Sequence, residues 1–438
     1  MSNIENKFEH NSTVYPSQIK FNLPAGDDVQ KEIASGLGNL PFVWYNSYQI
    51  ETNDIQFLTI YNNGIVPCIK MIFIDTLGLM KDKGFPLDDS RIKIFLNSRS
   101  VQLKPIFMEF KITSFKLLPN SYSITGTLNI NKLYIKSFKS YSKMTSFKVL
   151  QEICRDIGLG FNSNLDDTND EMTWINNGDI THEFIDEIVE SSYKSDESFL
   201  LSYIDFYYNL NYVDLEKELS RNIQQEIGVS TTGIEEVAKL ADKDKLSALF
   251  LTNDYSMSNS NCYFKSYKVI NNSTSVSLEN GYLNKIKFYN ELDKDFLVFD
   301  IDSITSQGDK NIILKGSPQD ETFYKENINL IYMGKIDTDN SHKNYNYSYV
   351  QNNKNITDLQ KIGIEIEMGN PNYSLYRFQK INVFISNQAS TPSQSHKNNR
   401  LSGDWLIVDI LYKFSDGKLT QVIKLIKREL ELSPEEIT

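Results

Sequence analysis

Two serine motifs in this sequence have spacings close to those of hydrolytic enzymes. Ser140 and Lys143 fit a Ser-x-x-Lys pattern, but no Lys-Thr-Gly accompanies them, as the acylating enzymes with that pattern require. Ser230 lies between Gly228 and Gly233, which are one residue too far apart for a nucleophile elbow. A nucleophilic serine also needs a base and a group that orients the base. The sequence therefore predicts no catalytic residue.

The candidate metal ligands are scattered along the chain. His182 and Glu183 are followed by Phe-Ile-Asp, so they do not form a His-Glu-x-x-His zinc motif, and we expect His182 in the exposed first turn of a helix. Asp337 and Asp339 begin like a calcium loop, but the sixth position is His342 instead of Gly and the twelfth is Ser instead of Glu. We therefore expect no metal site and no cofactor.

Nucleotide and glycosidase patterns are incomplete as well. Gly334 and Gly417 each precede a lysine, but they lack the upstream Gly and the following Ser or Thr of a phosphate loop. Adjacent carboxylates, such as those of the acidic segment 166–171, predict a solvated loop. A glycosidase instead needs two carboxylates placed across a cleft. The sequence thus predicts a protein that is not an enzyme.

The aromatic segment 206–212 has two interpretations. Its alternation predicts a strand whose aromatic side chains belong to a core or an interface, because strands favour aromatic residues. Alternatively, Tyr207 and Tyr208 form a platform for stacking on sugars or bases. No basic residues accompany this segment, which argues against nucleic acid as the stacking partner.

The composition describes a large acidic chain with enough apolar material for a packed core. It has 438 residues, 40% of them hydrophobic, and 45 Lys and Arg against 57 Asp and Glu give a net charge of −12. Duplex nucleic-acid binders neutralise phosphates with basic patches, so this balance argues against that class. Three distant cysteines exclude a disulfide scaffold. We see no signal peptide and no apolar membrane span, and we expect a soluble protein assembled in a reducing cytoplasm.

Hydrophobic patterns divide the chain into five segments. Period-two alternation marks two β-rich segments, and helical periodicity marks the segment between them. The predicted segments are an N-terminal arm (1–39), a first β domain (40–140), an inserted α/β domain (141–215), a charged linker (216–260) and a second β domain with long polar loops (261–438).

Capping residues and turns place the main elements within these segments. The insert holds a helix capped by Thr145 or Ser146 and ended by Gly158, a second helix capped by Thr181, and a third that begins at residue 195 or 196. A hairpin is predicted on either side of the turn at residues 119–121. A second hairpin surrounds the Asp-Gly pair at 416–417, which is a strong hairpin signal.

Two stretches of the chain carry recognisable motifs. In the middle, a helix that ends in Gly-Leu-Gly-Phe leads to an acidic loop and to Met-Thr-Trp-Ile, followed by a helix, Ser-Tyr-x-Ser-Asp-Glu-Ser-Phe and an aromatic strand. Near the C-terminus, a strand begins with Gly-Asp-Trp at residue 403 and is followed by its hairpin partner 419–428. The first stretch resembles the central baseplate hub protein of contractile-tailed bacteriophages, and the second resembles the closing strands of such hubs.

This resemblance implies a fold, an assembly and a set of partners. The fold is α+β, with two tube-like β-barrel domains, an inserted small α/β domain and a charged linker. The hubs are homotrimers whose six barrels form a ring, which joins the sixfold tail tube to the threefold spike. Implied partners are the tail tube protein, the trimeric spike protein, and baseplate wedge or tape measure proteins. DNA passes through the ring during ejection without specific binding, and the protein belongs to the virion tail.

The resemblance gives aromatic side chains a structural role. The suspected structural or interface residues are Trp174, Phe199, Tyr203, Tyr207, Tyr208 and Trp405. Two alternatives stay open at this stage. One is the hub of a phage-derived contractile injection system, and the other is a tail protein that binds or cleaves glycans through Tyr207, Tyr208 and nearby acids. Under the hub hypothesis, the charge of −12 predicts a channel wall that repels DNA phosphates.

Overall fold

The computed structural model of the chain describes most of residues 40–221 and separate stretches up to residue 427. The described residues are 40–46, 48–76, 78, 89–96, 106–221, 226–229, 264–272, 285–290, 295–300, 329–332, 341–345, 347–349, 352, 362–368, 371–373, 375–385, 398 and 401–427. The predicted N-terminal arm lies outside these residues, as do most of the charged linker and most of the polar loop at 386–402.

The first β region (residues 40–140) consists mainly of antiparallel strands. Its strands are β1 (Pro41–Tyr45), β2 (Tyr48–Ile50), β3 (Ile55–Asn63), β4 (Val66–Phe73), β5 (Arg91–Leu96), β6 (Ile106–Leu117), β7 (Tyr122–Leu128) and the start of β8 (Lys136–Met144). Short 3₁₀ helices occupy Thr52–Asp54 and Asn131–Tyr134. The predicted hairpin around residues 119–121 is confirmed, since β6 and β7 pair antiparallel with alternate residues buried.

The insert (residues 141–215) mixes helices with short strands. Its elements after β8 are α1 (Ser146–Ile157), β9 (Gly160–Ser163), β10 (Met172–Ile180), α2 (Thr181–Ser191), β11 (Leu200–Ile204) and β12 (Asn209–Asp214), and α3 (Leu215–Leu219) follows. The first helix is confirmed: the Thr145 side chain accepts from the Lys148 N–H, and Gly158 ends the helix with φ 83°. Glycine tolerates this left-handed conformation without strain.

The second β region (residues 261–438) completes the main sheet. The remaining strands are β13 (Glu226–Val229), which precedes this region, and then β14 (Phe264–Asn271), β15 (Lys285–Asn290), β16 (Asp295–Asp300), β17 (Asn329–Tyr332), β18 (Ile362–Met368), β19 (Lys380–Ile385), β20 (Gly403–Ser415) and β21 (Lys418–Ile426). The predicted hairpin at 416–417 is confirmed as the connection between β20 and β21. Its Asp416 and Gly417 both have positive φ, as a tight hairpin turn requires.

One sheet contains strands of both β regions. Its order is β14-β18-β21-β20-β3-β4-β7-β6-β5-β1-β2, with β13 and β19 joined through β20. Strand β20 pairs antiparallel with β3, with Tyr412 opposite Ile60. Among the described strands this sheet runs open from β14 to β2. The α+β class agrees with these elements, and the division into two closed barrels stays a prediction.

Three predictions for the insert are wrong in detail. The third helix does not form: residues 195–198 make a turn, and Leu200–Ile204 is β11, which pairs with β12. The aromatic strand begins only at Asn209, because residues 205–208 form a tight turn. Thr181 is the first residue of α2, and the residue that precedes it is Ile180.

The third helix was predicted wrongly because β11, like β12, is buried on both faces. Leu200, Tyr203 and Ile204 are all almost inaccessible, and every residue of β12 is buried. In β11 only Ser202 interrupts the apolar residues, so its sequence carries no period that distinguishes a buried strand from a buried helix. Pairing of β12 with β11 on one side and with β9 on the other satisfies the backbone groups that this burial removes from water.

Candidate functional site

The sequence motifs for catalysis and metal binding do not converge in the described part of the chain. Ser140 and Lys143 lie on β8, and Lys143 has φ 53° at an exposed position. No group of three His, Cys, Asp or Glu that could hold a metal is found among the described residues. Asp337, Asp339 and Ser230 lie outside them. His182 is in the first turn of α2 as predicted, but it is half-buried against Tyr134.

The aromatic residues singled out from the sequence lie mostly in the interior. Five of the six are nearly inaccessible, namely Trp174, Phe199, Tyr203, Tyr208 and Trp405, whereas Tyr207 is half-buried. Both tryptophan indoles donate to backbone carbonyls, Trp174 to Met144 at 3.0 Å and Trp405 to Leu401 at 2.9 Å. Such side chains offer little surface to a partner. Their interface role stays a prediction, in which they contribute only by supporting the elements that form the interface.

The turn between β11 and β12 attaches the insert to both β regions. The Tyr208 hydroxyl accepts from the backbone N–H of Glu109 on β6 at 2.8 Å. The Phe206 ring packs edge-on against Tyr412 of β20, with centroids 5.3 Å apart. At 2% exposure, Tyr208 presents no ring face to a sugar. We call this turn, residues 205–208, the anchor turn.

A second contact joins β11 to the second β region. Tyr203 packs edge-on against Phe378, with centroids 5.4 Å apart, and the Arg377 guanidinium lies 5.3 Å from the centre of the Tyr203 ring. Arg377 also donates through Nε to the Val408 carbonyl of β20 at 2.8 Å. Together with the anchor turn, this contact fixes the insert where the two β regions share a sheet.

Backbone strain coincides with both contacts. Tyr208 has φ 64° and Phe378 has φ 63°, values that bulky residues seldom adopt. Such conformations cost on the order of 1–3 kcal/mol and persist only where the surroundings determine them. Here the Tyr208 hydrogen bond and the packing of Phe378 against Tyr203 are what hold the two residues in place.

The acidic loop 166–171 is not uniformly solvated, contrary to the prediction. Asp170 is fully buried and accepts from the Ser146 N–H at 2.9 Å, the Thr168 hydroxyl at 2.7 Å and the Tyr193 N–H at 2.9 Å. Asp167 accepts from the Thr145 hydroxyl at 2.5 Å. These carboxylates tie the start of α1 to the segment after α2, and this structural role explains their position.

The sequence also gave no sign of two polar residues that hold the end of α2. Asn352 is buried, and its amide lies within 3.3 Å of the Val189, Glu190 and Ser192 carbonyls. His342 is buried as well, and its Nε2 lies 2.9 Å from the Ser191 carbonyl oxygen. Both belong to a polar segment predicted as a loop. A helix C-terminus leaves carbonyls unsatisfied. The role of Asn352 and His342 could therefore be recognised only from the folded position of α2.

An apolar face is exposed on the two-stranded ribbon of β8 and β10. Phe138 is 82% exposed and Ile175 is 56% exposed, and Ile135, the residue before β8, is 55% exposed. Trp174 and Tyr141 point to the opposite, buried face of the same ribbon, where they are paired in register. We call this exposed face the ribbon face. Exposed apolar clusters of this kind are typical of interaction surfaces.

The chain shares its overall fold with a tail protein of known structure. The tail protein from Neisseria meningitidis MC58 superposes with a TM-score of 0.52 at 8% identity, over 89% of this chain and 96% of that one. The 43 kDa tail protein of prophage MuSo2 from Shewanella oneidensis gives 0.48 at 11% identity, over 89% and 97%. A type VI secretion component of E. coli gives 0.41 at 9% identity, over 87% and 76%.

The Neisseria comparison confirms the resemblance at the level of the fold. Because the identity is only 8%, the likeness concerns the fold and not the function. No protein-family model matches the sequence, and no curated protein matches it. No helix among the described residues is long and apolar enough to cross a membrane.

Proposed function

We propose that this protein is a structural component of a contractile phage tail, namely the central baseplate hub. The observation that carries the proposal is the fold, shared with a tail protein over 89% of the chain. In this role the chain forms a homotrimer, joins the sixfold tail tube to the threefold spike and contributes to the DNA ejection channel. It acts as a scaffold and not as an enzyme, and it resides in the virion tail after assembly in the host cytoplasm.

The connection of the two β regions supports a scaffold role. Strands β3 and β20 pair across the junction, and the anchor turn contacts β6 and β20 at the same time. A subunit that carries load between a tube and a spike needs such a rigid connection. The two barrels per subunit belong to this proposal, with β1–β7 and β14–β21 supplying their strands.

Two exposed features offer surfaces for the proposed partners. The ribbon face presents Phe138 and Ile175 to solvent. Strand β14 lies at one edge of the described main sheet, and its Tyr267 and Val269 are exposed. An open sheet edge can accept a strand from another chain. The tube protein, the spike, and wedge or tape measure proteins are the proposed partners for these surfaces.

Light scattering of the purified chain, alone and mixed with its spike protein, tests the proposed assembly. We expect a species of three times 50.6 kDa, alone or with the spike bound. A chain that stays monomeric in both samples contradicts the hub.

Electron microscopy of intact tails tests the proposed position. We expect density for this chain between tube and spike, with an acidic channel wall that repels phosphate. Density elsewhere in the tail, or a mainly basic channel wall, contradicts the corresponding part of the proposal.

A further inference from the structure

A cleft of about 650 Å³ lies between the insert and the main sheet. Helix α2 and strand β11 form one wall, and strands β14, β18, β20 and β21 contribute to the other. Much of its lining is apolar and includes Val189, Leu201, Ile364 and Leu425. The cleft has the size of a small-molecule or side-chain binding site.

Two carboxylates of α2 line this cleft without an ion pair to any cation of the described residues. Asp186 and Glu190 are half-buried and lie one helical turn apart, where like charges repel each other. Burial, together with the nearby carboxylates of Glu190 and Glu183, raises the pKa of Asp186 to about 6. Within the described part of the chain, neither Asp186 nor Glu190 has a side-chain hydrogen bond or an ion pair. This arrangement is costly without a positively charged ligand.

A buried hydroxyl on the same cleft also lacks a partner. Ser202 on β11 is 8% exposed, and its Oγ has no hydrogen-bond partner in the described structure. Across the cleft, the side-chain Oδ1 of Asn62 is buried and likewise without a partner among the described groups. Buried polar atoms are nearly always hydrogen-bonded, so two such atoms on one cleft indicate a ligand that donates hydrogen bonds.

The cations on the opposite wall are already engaged. Arg377 donates to the Val408 carbonyl and stacks on aromatic rings, and Lys424 lies 4.0 Å from the carboxylate of Asp409. Among the described residues, the charges that influence the pKa of Asp186 are the carboxylates of Glu190 and Glu183, and both raise it. The described cations across the cleft therefore do not neutralise the negative charge on the α2 wall.

We propose that this cleft binds a primary ammonium group on an apolar stem, as carried by a lysine side chain of a partner chain or by a free alkylamine. An ammonium has three donors and no acceptor, which complements the carboxylates of Asp186 and Glu190 and the oxygen of Ser202. The stem lies along the apolar lining. The described residues offer no trio of metal ligands here, which favours an amine over a divalent cation. This site goes beyond the proposed hub role, because it is inferred only from the residues that line the cleft.

Thermal unfolding of the full chain with n-butylamine tests this site, with NaCl holding the ionic strength constant. At pH 7.5 we expect a saturable rise in Tm, because a ligand that binds only the folded state stabilises it. The same concentration of n-butanol, which lacks the charge, gives no saturable rise. Asp186→Asn weakens binding at least tenfold and Ser202→Ala weakens it several-fold, whereas Asp179→Asn, outside the cleft, leaves it unchanged.

Binding should also depend on pH, because the ammonium needs an ionised Asp186. The charged groups around that carboxyl are Glu183, Glu190, Arg377, Asp409 and Lys424. As the pH falls through about 6, Asp186 takes up a proton, and we expect the apparent affinity for n-butylamine to fall at least tenfold between pH 7.5 and 5. An affinity that is unchanged over this range overturns the proposed role of Asp186.

The remaining outcomes separate the sources of the amine and can refute the site. If Nα-acetyl-lysine methylamide binds more tightly than n-butylamine, the occupant is a protein side chain; the reverse order indicates a free amine. If n-butylamine causes no saturable rise in Tm, the proposal is overturned. It is also overturned if Asp186→Asn shows the same rise in Tm as the unmodified chain. A saturable shift with CaCl₂ or MgCl₂ that n-butylamine does not compete away also overturns it. Trimer formation is measured separately, so the two proposals fail independently.

Discussion

At the scale of single residues, Tyr208 joins the anchor turn to the first β region, because its hydroxyl accepts from the backbone N–H of Glu109 at 2.8 Å while its own backbone holds φ 64°. Aromatic alternation predicted a strand here, and one of its two interpretations placed the side chains in a core. The pattern could not reveal that Tyr208 lies in a turn with positive φ, because that conformation is imposed by a hydrogen bond to β6, 99 residues earlier. Asp170 was missed for the same reason, since two of its three donors, the N–H groups of Ser146 and Tyr193, belong to segments that meet it only in the folded chain.

Tyr208→Phe is expected to destabilise the fold by about 1–3 kcal/mol. The substitution keeps the ring but leaves the backbone N–H of Glu109 without the hydroxyl that accepts from it at 2.8 Å. A buried donor that loses its partner costs its full desolvation penalty. Urea denaturation followed by circular dichroism measures the change. Tyr267→Phe, on an exposed tyrosine of β14, serves as the control and should alter the free energy of unfolding by less than about 0.5 kcal/mol.

Asp186→Asn is expected to stabilise the ligand-free protein above pH 6. The pKa of Asp186 is about 6 in the folded chain, against roughly 3.9 when unfolded. The folded state therefore binds more protons between these values, and the free energy of unfolding falls as the pH rises through that window. Allowing for solvent screening of a half-buried group, we expect a gain of about 1–2 kcal/mol at pH 8 and little gain at pH 4.

The comparison variant for this prediction is Asp179→Asn, on an exposed carboxylate of β10. Thermal unfolding of both variants across pH 4–8 isolates the contribution of Asp186 from the other titrating groups. A gain from Asp186→Asn that is the same at pH 4 and pH 8 would contradict an ionised, uncompensated carboxylate in the cleft.

At the scale of elements, a helix with both caps and strands with alternating side chains could be predicted, and the buried strand β11 could not. The helix α1 is marked by a capping hydroxyl and a terminal glycine, and both β hairpins by polar turns between alternating strands. These signals are local. Strand β12 was predicted from its alternation, with its start at Phe206 instead of Asn209, whereas β11 is defined by what packs on both of its faces and its sequence carries no such period.

Gly126→Ala is expected to destabilise the junction of β4, β7 and β6 by about 2 kcal/mol. A Cβ at Gly126 would lie 2.8 Å from the Lys111 carbonyl oxygen and 3.0 Å from Cγ2 of Ile69. A backbone oxygen inside a sheet cannot move aside cheaply, so the added methyl overpacks the site. Urea midpoints measure the effect.

Gly64→Ala is the matched glycine control for this prediction. Gly64 has φ 60°, and a Cβ there meets no atom within 4 Å. In that variant the free energy of unfolding should fall by only about 1 kcal/mol, because alanine adopts this positive φ less readily than glycine does. Equal losses in the two variants would show that overpacking at Gly126 is not the cause.

At the scale of the whole molecule, the order of regions along the chain could be anticipated, whereas their union in one sheet could not. The pairing of β3 with β20 joins residues more than 340 positions apart, such as Ile60 and Tyr412. No local pattern selects a partner across that separation, since either strand would satisfy its backbone groups with any neighbour in register. Hydrophobic patterns predicted the β, α/β, β order and the family resemblance agreed with it, but neither indicated this pairing.

The shared sheet predicts that the two β regions unfold together. Each region and the insert carries one buried tryptophan: Trp44 on β1, Trp174 on β10 and Trp405 on β20. With 5-fluorotryptophan incorporated, the three fluorine resonances follow each part separately in a single urea titration, and single Trp→Phe variants assign them. Because β3 and β20 share backbone hydrogen bonds, we expect Trp44 and Trp405 to report coincident midpoints, as two-state unfolding requires. If Trp44 reports unfolding at a lower urea concentration than Trp405, the regions behave as independent domains and the β3–β20 pairing does not couple them.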